Sequence, residues 1–154
     1  SDGVEINSLE DLRKIVPEDH KDIENRRSGD LGTLAVFVDV SSMSEKVAKD
    51  INKISELKQL QKFFFLKQVK STMSFMTLAA KTSSSLEVSL SLDSGDKNAR
   101  KLHVTRYPSM VYITPDKSKF SYSVSSGGLG ALKMKILEEK EKIRLAAEQA
   151  AANN

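Results

Sequence analysis

The run LAVFVDV, Leu34 to Val40, is β-branched and aromatic with a single polar residue. That is the composition of a strand covered on both faces. In the stretch that follows, Met43, Val47, Ile51, Ile54 and Leu57 step by four and three, the stripe of an amphipathic helix. Ser41 or Ser42 can cap it. Strand composition returns in KFFFLKQV, Lys62 to Val69. A strand, a helix of about four turns and a second strand form a βαβ unit, which favours a parallel pair with a right-handed crossover. No other feature constrains the fold as much, because a parallel sheet needs helices on both faces.

The pattern repeats downstream. Ser71 to Lys81 reads as a helix apolar on most sides, through Met73, Phe75, Met76, Leu78, Ala79 and Ala80. Leu86, Val88, Leu90 and Leu92 then alternate with Glu87, Ser89 and Ser91, as in a half-exposed strand. SGDKNARKLHV reads as a short helix. Pro108 follows, then the strand SMVYIT, a turn in PDKS with Pro115 and Asp116, and a returning strand in KFSYSVSS. GGLGALKMKILEEKEKIRLAAEQAAANN reads as a long final helix with Leu129, Leu132 and Ile136 toward the core. Beyond Leu137 the stripe weakens, so the distal end is expected to project, fray or meet a partner. Alternating βα units, a hairpin and a closing helix predict a three-layer α/β domain with a mixed central sheet.

The first thirty residues differ. Ser8 with Asp11 three positions on resembles a helix start, Leu9, Leu12, Ile15 and Val16 give a short apolar face, and Pro17 ends it. Glu18 to Asp30 is polar with turn chemistry at its end, and reads as a linker or loosely docked arm. The expected division is an arm over 1–30 and a domain over 31–154. The chain opens Ser1-Asp2-Gly3 without methionine, which is read as a processed piece whose targeting segment has been removed.

Pro108 sits at the mouth of a strand that must be central. Proline donates no hydrogen bond and is confined to strand starts, edges and bulges. The second half of the chain, LHVTRYPSMVYITPDKSKFSYSVSSGGLGALK, resembles that of the thioredoxin superfamily. There a helix ends, a cis-proline opens the next strand, and a hairpin and final helix follow. The resemblance implies that Tyr107-Pro108 is the cis step. It also places Ser41 and Ser42 where the superfamily carries a Cys-x-x-Cys pair, and the chain has no cysteine at all. Thiol redox work is thereby excluded. A narrower resemblance is to the TrbC family of F-type conjugative pilus-assembly proteins, over about Leu34 to Lys133. It is carried by Ser42-Met43, Phe63 to Lys70, Asp93, and Val104 to Pro108, with Ser44 standing where that family usually has proline. It implies a periplasmic component of a type IV secretion apparatus, working through contacts with other subunits of the complex and without a catalytic centre.

Chemistry is sparse in the residues themselves. The two histidines, His20 and His103, have no second ligand four residues on, so no metal site is expected. The glycines of SSGGLGALK lack phosphate-loop spacing and suit a tight strand-to-helix turn. Asp39 reads as a helix cap rather than a functional carboxylate. Asp93 and Asp96 flank Gly95 and read as a turn. The five methionines read as core filler. Phe63, Phe64 and Phe65 must place a ring on each face of their strand. The formal charge of +3, from 24 basic and 21 acidic residues without a basic run, gives no argument for nucleic acid. No apolar run is long enough to span a bilayer.

The expectation is therefore a protein-contact module without cofactor, with Ser41, Ser42, Met43, Arg106, Tyr107 and Pro108 as the contact site. Thioredoxin-like domains present extended peptides beside that proline. Two alternatives stay open. One is a thioredoxin-like chaperone or peptide-binding domain of another exported or lumenal system. The other is an enzyme of unfamiliar type using Asp39, Ser41, Ser42 or His103 at the strand ends, where α/β sheets bind ligands.

Overall fold

The computed structural model describes residues 18–19, 23–25, 28–39, 51, 55–67 and 90–153. The expected helices over Ser8–Val16 and Ser71–Lys81, residues 86–89 of the alternating strand, and the Ser41–Met43 loop lie outside them. Within them the strands are β1 (Glu18–Asp19), β2 (Thr33–Val38), β3 (Gln61–Lys67), β4 (Leu90–Asp93), β5 (Ser109–Ile113) and β6 (Lys119–Ser123). Two α-helices are described, α1 (Lys97–Lys101) and α2 (Ser126–Ala152).

The strands form one sheet in the order β1-β4-β3-β2-β5-β6. β1, β4, β3 and β2 run parallel to one another. β5 is antiparallel to β2, and β6 to β5. The parallel β2–β3 pair predicted from the βαβ pattern is present, with Leu34 opposite Lys62 and Val38 opposite Leu66. All six residues of β2 are buried. This is what a central strand between two layers requires.

Side-chain alternation divides the core in two. Leu34, Val36, Val38, Phe64, Leu66, Leu90, Leu92, Met110 and Tyr112 face one layer, where Leu132 and Ile136 of α2 and the buried Ile51 and Leu57 cover them. Ala35, Phe37, Phe65, Val111 and Ile113 face the other, against Ala99, Leu102 and Ile23. The phenylalanine triplet divides as expected. Phe64 joins the first cluster, whereas Phe65 stacks on Phe37 at 5.2 Å and Phe63 packs against the second. Each such ring or branched chain contributes on the order of 1.5–3 kcal/mol by leaving water.

Several local expectations are corrected. The amphipathic stripe after β2 does not end as α-helix: Ser55–Gln59 is a 3-10 turn, with Leu57 still buried. The segment read as a linker or loosely docked arm meets the sheet at two points, in keeping with the second of those readings. Glu18 and Asp19 pair with Leu92 and Asp93 at the sheet edge, and Ile23 is buried in the second cluster. Met134 is not core filler. It is 68% exposed, because the core-facing stripe of Leu132 and Ile136 leaves it on the far side of α2. Met110 is buried as expected.

The strand-to-helix turn shows why one glycine is needed. Ser125 caps α2 by accepting the Gly128 N–H at 3.1 Å. A Cβ on Gly128 would lie 1.8 Å from the Ser123 carbonyl oxygen, so only glycine lets the helix start this close to the strand. α2 then runs unbroken to Ala152, and from Lys140 onward its side chains are exposed.

Candidate functional site

The parallel strands end together, and three charged residues mark that end. Asp39 follows β2, Lys67 closes β3 and Asp93 closes β4. Lys67 and Asp93 are register partners. β5 runs the other way and so begins at this same end, just after Tyr107-Pro108. That peptide bond is cis, as the resemblance implied. The proline opens the strand, where its missing N–H breaks no ladder bond.

Tyr107 and Pro108 are half-buried and Arg106 is exposed. The Ser109 hydroxyl donates to the Arg106 carbonyl at 2.9 Å and holds the bend. The Tyr107 ring packs against the second core cluster, and the Lys67 ammonium lies 5.0 Å from its centroid. An exposed cation–π contact of this kind is worth about 0.5–1 kcal/mol. Burial pushes the Tyr107 hydroxyl up to about 12, helped by the negative charges of Asp96, Asp93 and Asp39. At neutral pH it is a neutral hydrogen-bonding group, not a base. Of the six residues expected to form the contact site, the structure therefore brings together Arg106, Tyr107 and Pro108. Ser41, Ser42 and Met43 lie outside the described residues.

Asp93 is not a turn residue in solvent. It is 1% exposed. One carboxylate oxygen accepts the Asn98 N–H at 3.0 Å and the Asn98 side-chain amide at 3.2 Å, and the other accepts the Ala99 N–H at 3.0 Å. It thus accepts two backbone N–H groups of the first turn of α1. Asn98, itself fully buried, passes the connection on by accepting the Ile23 N–H at 2.7 Å. Burial raises the Asp93 carboxyl above its ordinary 3.8, against the pull of these hydrogen bonds. The sequence signal that could have found this is an aspartate five residues before an asparagine at a helix start. Polarity pointed the reading to solvent instead.

His103 has a backbone role. Its N–H donates to the Arg100 carbonyl at 3.2 Å, the Val104 N–H donates to the Ala99 carbonyl at 2.8 Å, and His103 sits at φ 57°. Those paired bonds close α1 as a Schellman motif. The imidazole itself is exposed. Among the described residues no group of three or more His, Cys, Asp or Glu side chains is placed to hold a metal ion. Nor is any described helix long and apolar enough to cross a membrane.

A half of parallel strands, an antiparallel strand opened by a cis-proline, a hairpin and a closing helix now stand together. The fold is thioredoxin-like. No protein-family model matches the chain, and no curated protein matches it. Among solved structures, the N-terminal domain of PilB from Neisseria gonorrhoeae is similar over 59% of this chain, at 17% identity and a TM-score of 0.45. The chain covers 65% of that structure, just short of two thirds of its length. A secreted Mycobacterium tuberculosis disulfide oxidoreductase homologous to E. coli DsbE is similar over 73% of this chain and 95% of its own, at 8% identity and a TM-score of 0.47.

Proposed function

We propose that this thioredoxin-like domain is not an enzyme but works by protein contact, as a periplasmic assembly component of a conjugative type IV secretion apparatus. The observation that carries the contact reading is Arg106. It stands exposed at the strand end, on a bend held by Ser109, beside an aromatic ring anchored in the core. A chain without cysteine has no thiol chemistry to perform at this end of the fold, so what remains there is a shaped, charged surface. The secretion and periplasm parts rest on the TrbC-like residues alone, Phe63 to Lys70, Asp93 and Val104 to Pro108 being their described or partly described portion.

The anchoring of Tyr107 decides how to test it. Tyr107 supports the fold, so Arg106→Glu is the cleaner variant. Affinity capture from the native host with the wild-type chain is expected to recover secretion or pilus-assembly proteins. Arg106→Glu should lose them while keeping the wild-type circular dichroism spectrum and melting temperature. Equal recovery by both chains would remove the site. Recovery of an unrelated set of exported proteins would remove the secretion assignment and leave the contact surface standing.

A further inference from the structure

β6 is the last strand of the sheet, and among the described residues nothing pairs with its outer side. At the hairpin mouth the Thr114 N–H donates to the Ser118 carbonyl at 2.9 Å. Antiparallel bonding alternates, so the bonds to β5 recur at Phe120 and Tyr122, and the backbone groups of Lys119 and Ser121 point away from β5. Ser123 is different, since its carbonyl lies against Gly128. Lys119 and Ser121 are exposed.

The strand KFSYS is nearly symmetric about Ser121. Placed antiparallel against its own copy with Ser121 at the centre, it exchanges two N–H···O=C bonds between the two Ser121 residues. Phe120 then faces Tyr122 of the second copy in a non-hydrogen-bonded position, where cross-strand side chains approach most closely and aromatic pairs stabilise. Lys119 faces Ser123, so no like charges meet.

The helix above agrees. The Lys135 ammonium lies 4.3 Å from the centroid of the Phe120 ring, while Lys133 on the other side of α2 reaches Glu56 at 3.9 Å. The side of α2 carrying Ala131, Lys135 and Glu138 therefore overlooks β6, with the exposed Met134 at its shoulder. Strand and helix advance by about 3.3 Å and 1.5 Å per residue. Gly128 beside Ser123 and Lys135 over Phe120 set their relative level, with α2 antiparallel to β6. A two-fold axis through Ser121 then brings Glu138 of one helix level with Ser126 and Gly127 of the other. Those first-turn amides carry partial positive charge.

We propose that the outer edge of β6 is the docking surface for a second copy of this chain, which continues the sheet across a two-fold axis. The test is the mass in solution by sedimentation equilibrium at micromolar to millimolar concentration. The wild-type chain is expected at twice its 17.0 kDa. Ser121→Pro removes only an outward N–H, so it should return the mass to 17.0 kDa with unchanged circular dichroism. In this cysteine-free chain, Ser121→Cys should cross-link to a dimer on mild oxidation, because directly opposed residues of such a pair have Cα atoms about 5.5 Å apart, within disulfide reach. A wild-type chain that stays monomeric throughout overturns the proposal. So does a dimer that Ser121→Cys fails to cross-link, and this second variant decides the matter should Ser121→Pro not fold. A monomer whose Ser121 amide resonance shifts on addition of an alternating valine–threonine peptide gives the edge to a different occupant, and also overturns it.

Discussion

The Tyr112 hydroxyl donates a 2.5 Å hydrogen bond to the Leu31 carbonyl, joining positions 81 residues apart in the chain. Tyr112 is fully buried in the first core layer, and burial holds its hydroxyl well above the ordinary tyrosine range. The bond ties the loop leading into β2 to the strand beside it. Tyr112→Phe would keep the ring and orphan a buried carbonyl. The expected loss is about 1–3 kcal/mol, seen as a lower urea midpoint with an unchanged slope. A midpoint equal to wild type would show that the carbonyl finds another donor.

Asp93→Asn tests the buried cap of α1. An amide offers one acceptor oxygen where the carboxylate offers two, and its NH2 group would then face an N–H of Asn98 or Ala99. The variant should lose about 1–3 kcal/mol at neutral pH, although it removes a buried charge. The sign of the pH dependence follows from the raised carboxyl. The native state holds that proton above pH 3.8, where the unfolded chain has released it. Stability from this group thus falls as pH rises from about 3.8 through the native value. Urea midpoints measured across the acid range should show this component in wild type and lack it in the variant.

Two glycines of α2 should respond in opposite directions. Gly128→Ala forces a Cβ into the Ser123 carbonyl and should cost about 3 kcal/mol or more. Gly130 is in the same helix with nothing within 4 Å of its would-be Cβ. Gly130→Ala should gain about 0.5–1 kcal/mol from helix propensity. Melting temperatures of the two variants check both. Equal effects would mean that the strand-to-helix turn is looser than the geometry requires.

The two halves of α2 should also differ. Ile136 is 1% exposed, and Ile136→Ala should cost about 2–5 kcal/mol. Ile143, two turns on, is 43% exposed, and its change to alanine should stay within about 0.5 kcal/mol. Hydrogen exchange should agree, with amides protected around Leu132 and Ile136 and fast beyond Ile143.

What could be read from the sequence was what repeats. Leu34 to Val40 announced a doubly covered strand, found over Thr33–Val38, and the spacing of Leu129, Leu132 and Ile136 announced which side of the last helix docks. Pro108 pointed to its strand start because proline has few places to go in a sheet. What could not be read was held by single tertiary contacts. Ile23 is one apolar residue in a polar stretch, and its place in the second core cluster, with its N–H on Asn98 far along the chain, is not something spacing displays. Asp93 looked solvated because its partners are backbone amides, which a sequence does not display. Met134 was misread for another reason. Composition suggested core, while the helical period already placed it opposite Leu132. At the proposed contact site the sequence supplied Arg106, Tyr107 and Pro108, but not that Lys67 covers the ring or that Tyr107 is tied into the core.

The sheet order has a consequence for how the chain is made. β2 lies at the centre, and its neighbours are β3, which follows soon in the chain, and β5, which comes near the end. During synthesis β2 therefore spends most of the wait half-paired. Pairings this distant in sequence also slow folding, because loop closure precedes the contacts that reward it. Until Ser109 to Ile113 emerges, Ala35, Val36 and Phe37 are an open template for any passing strand. The C-terminal third is thus what retires an aggregation hazard present in every nascent copy, and a chain truncated before Ser109 would carry that hazard permanently.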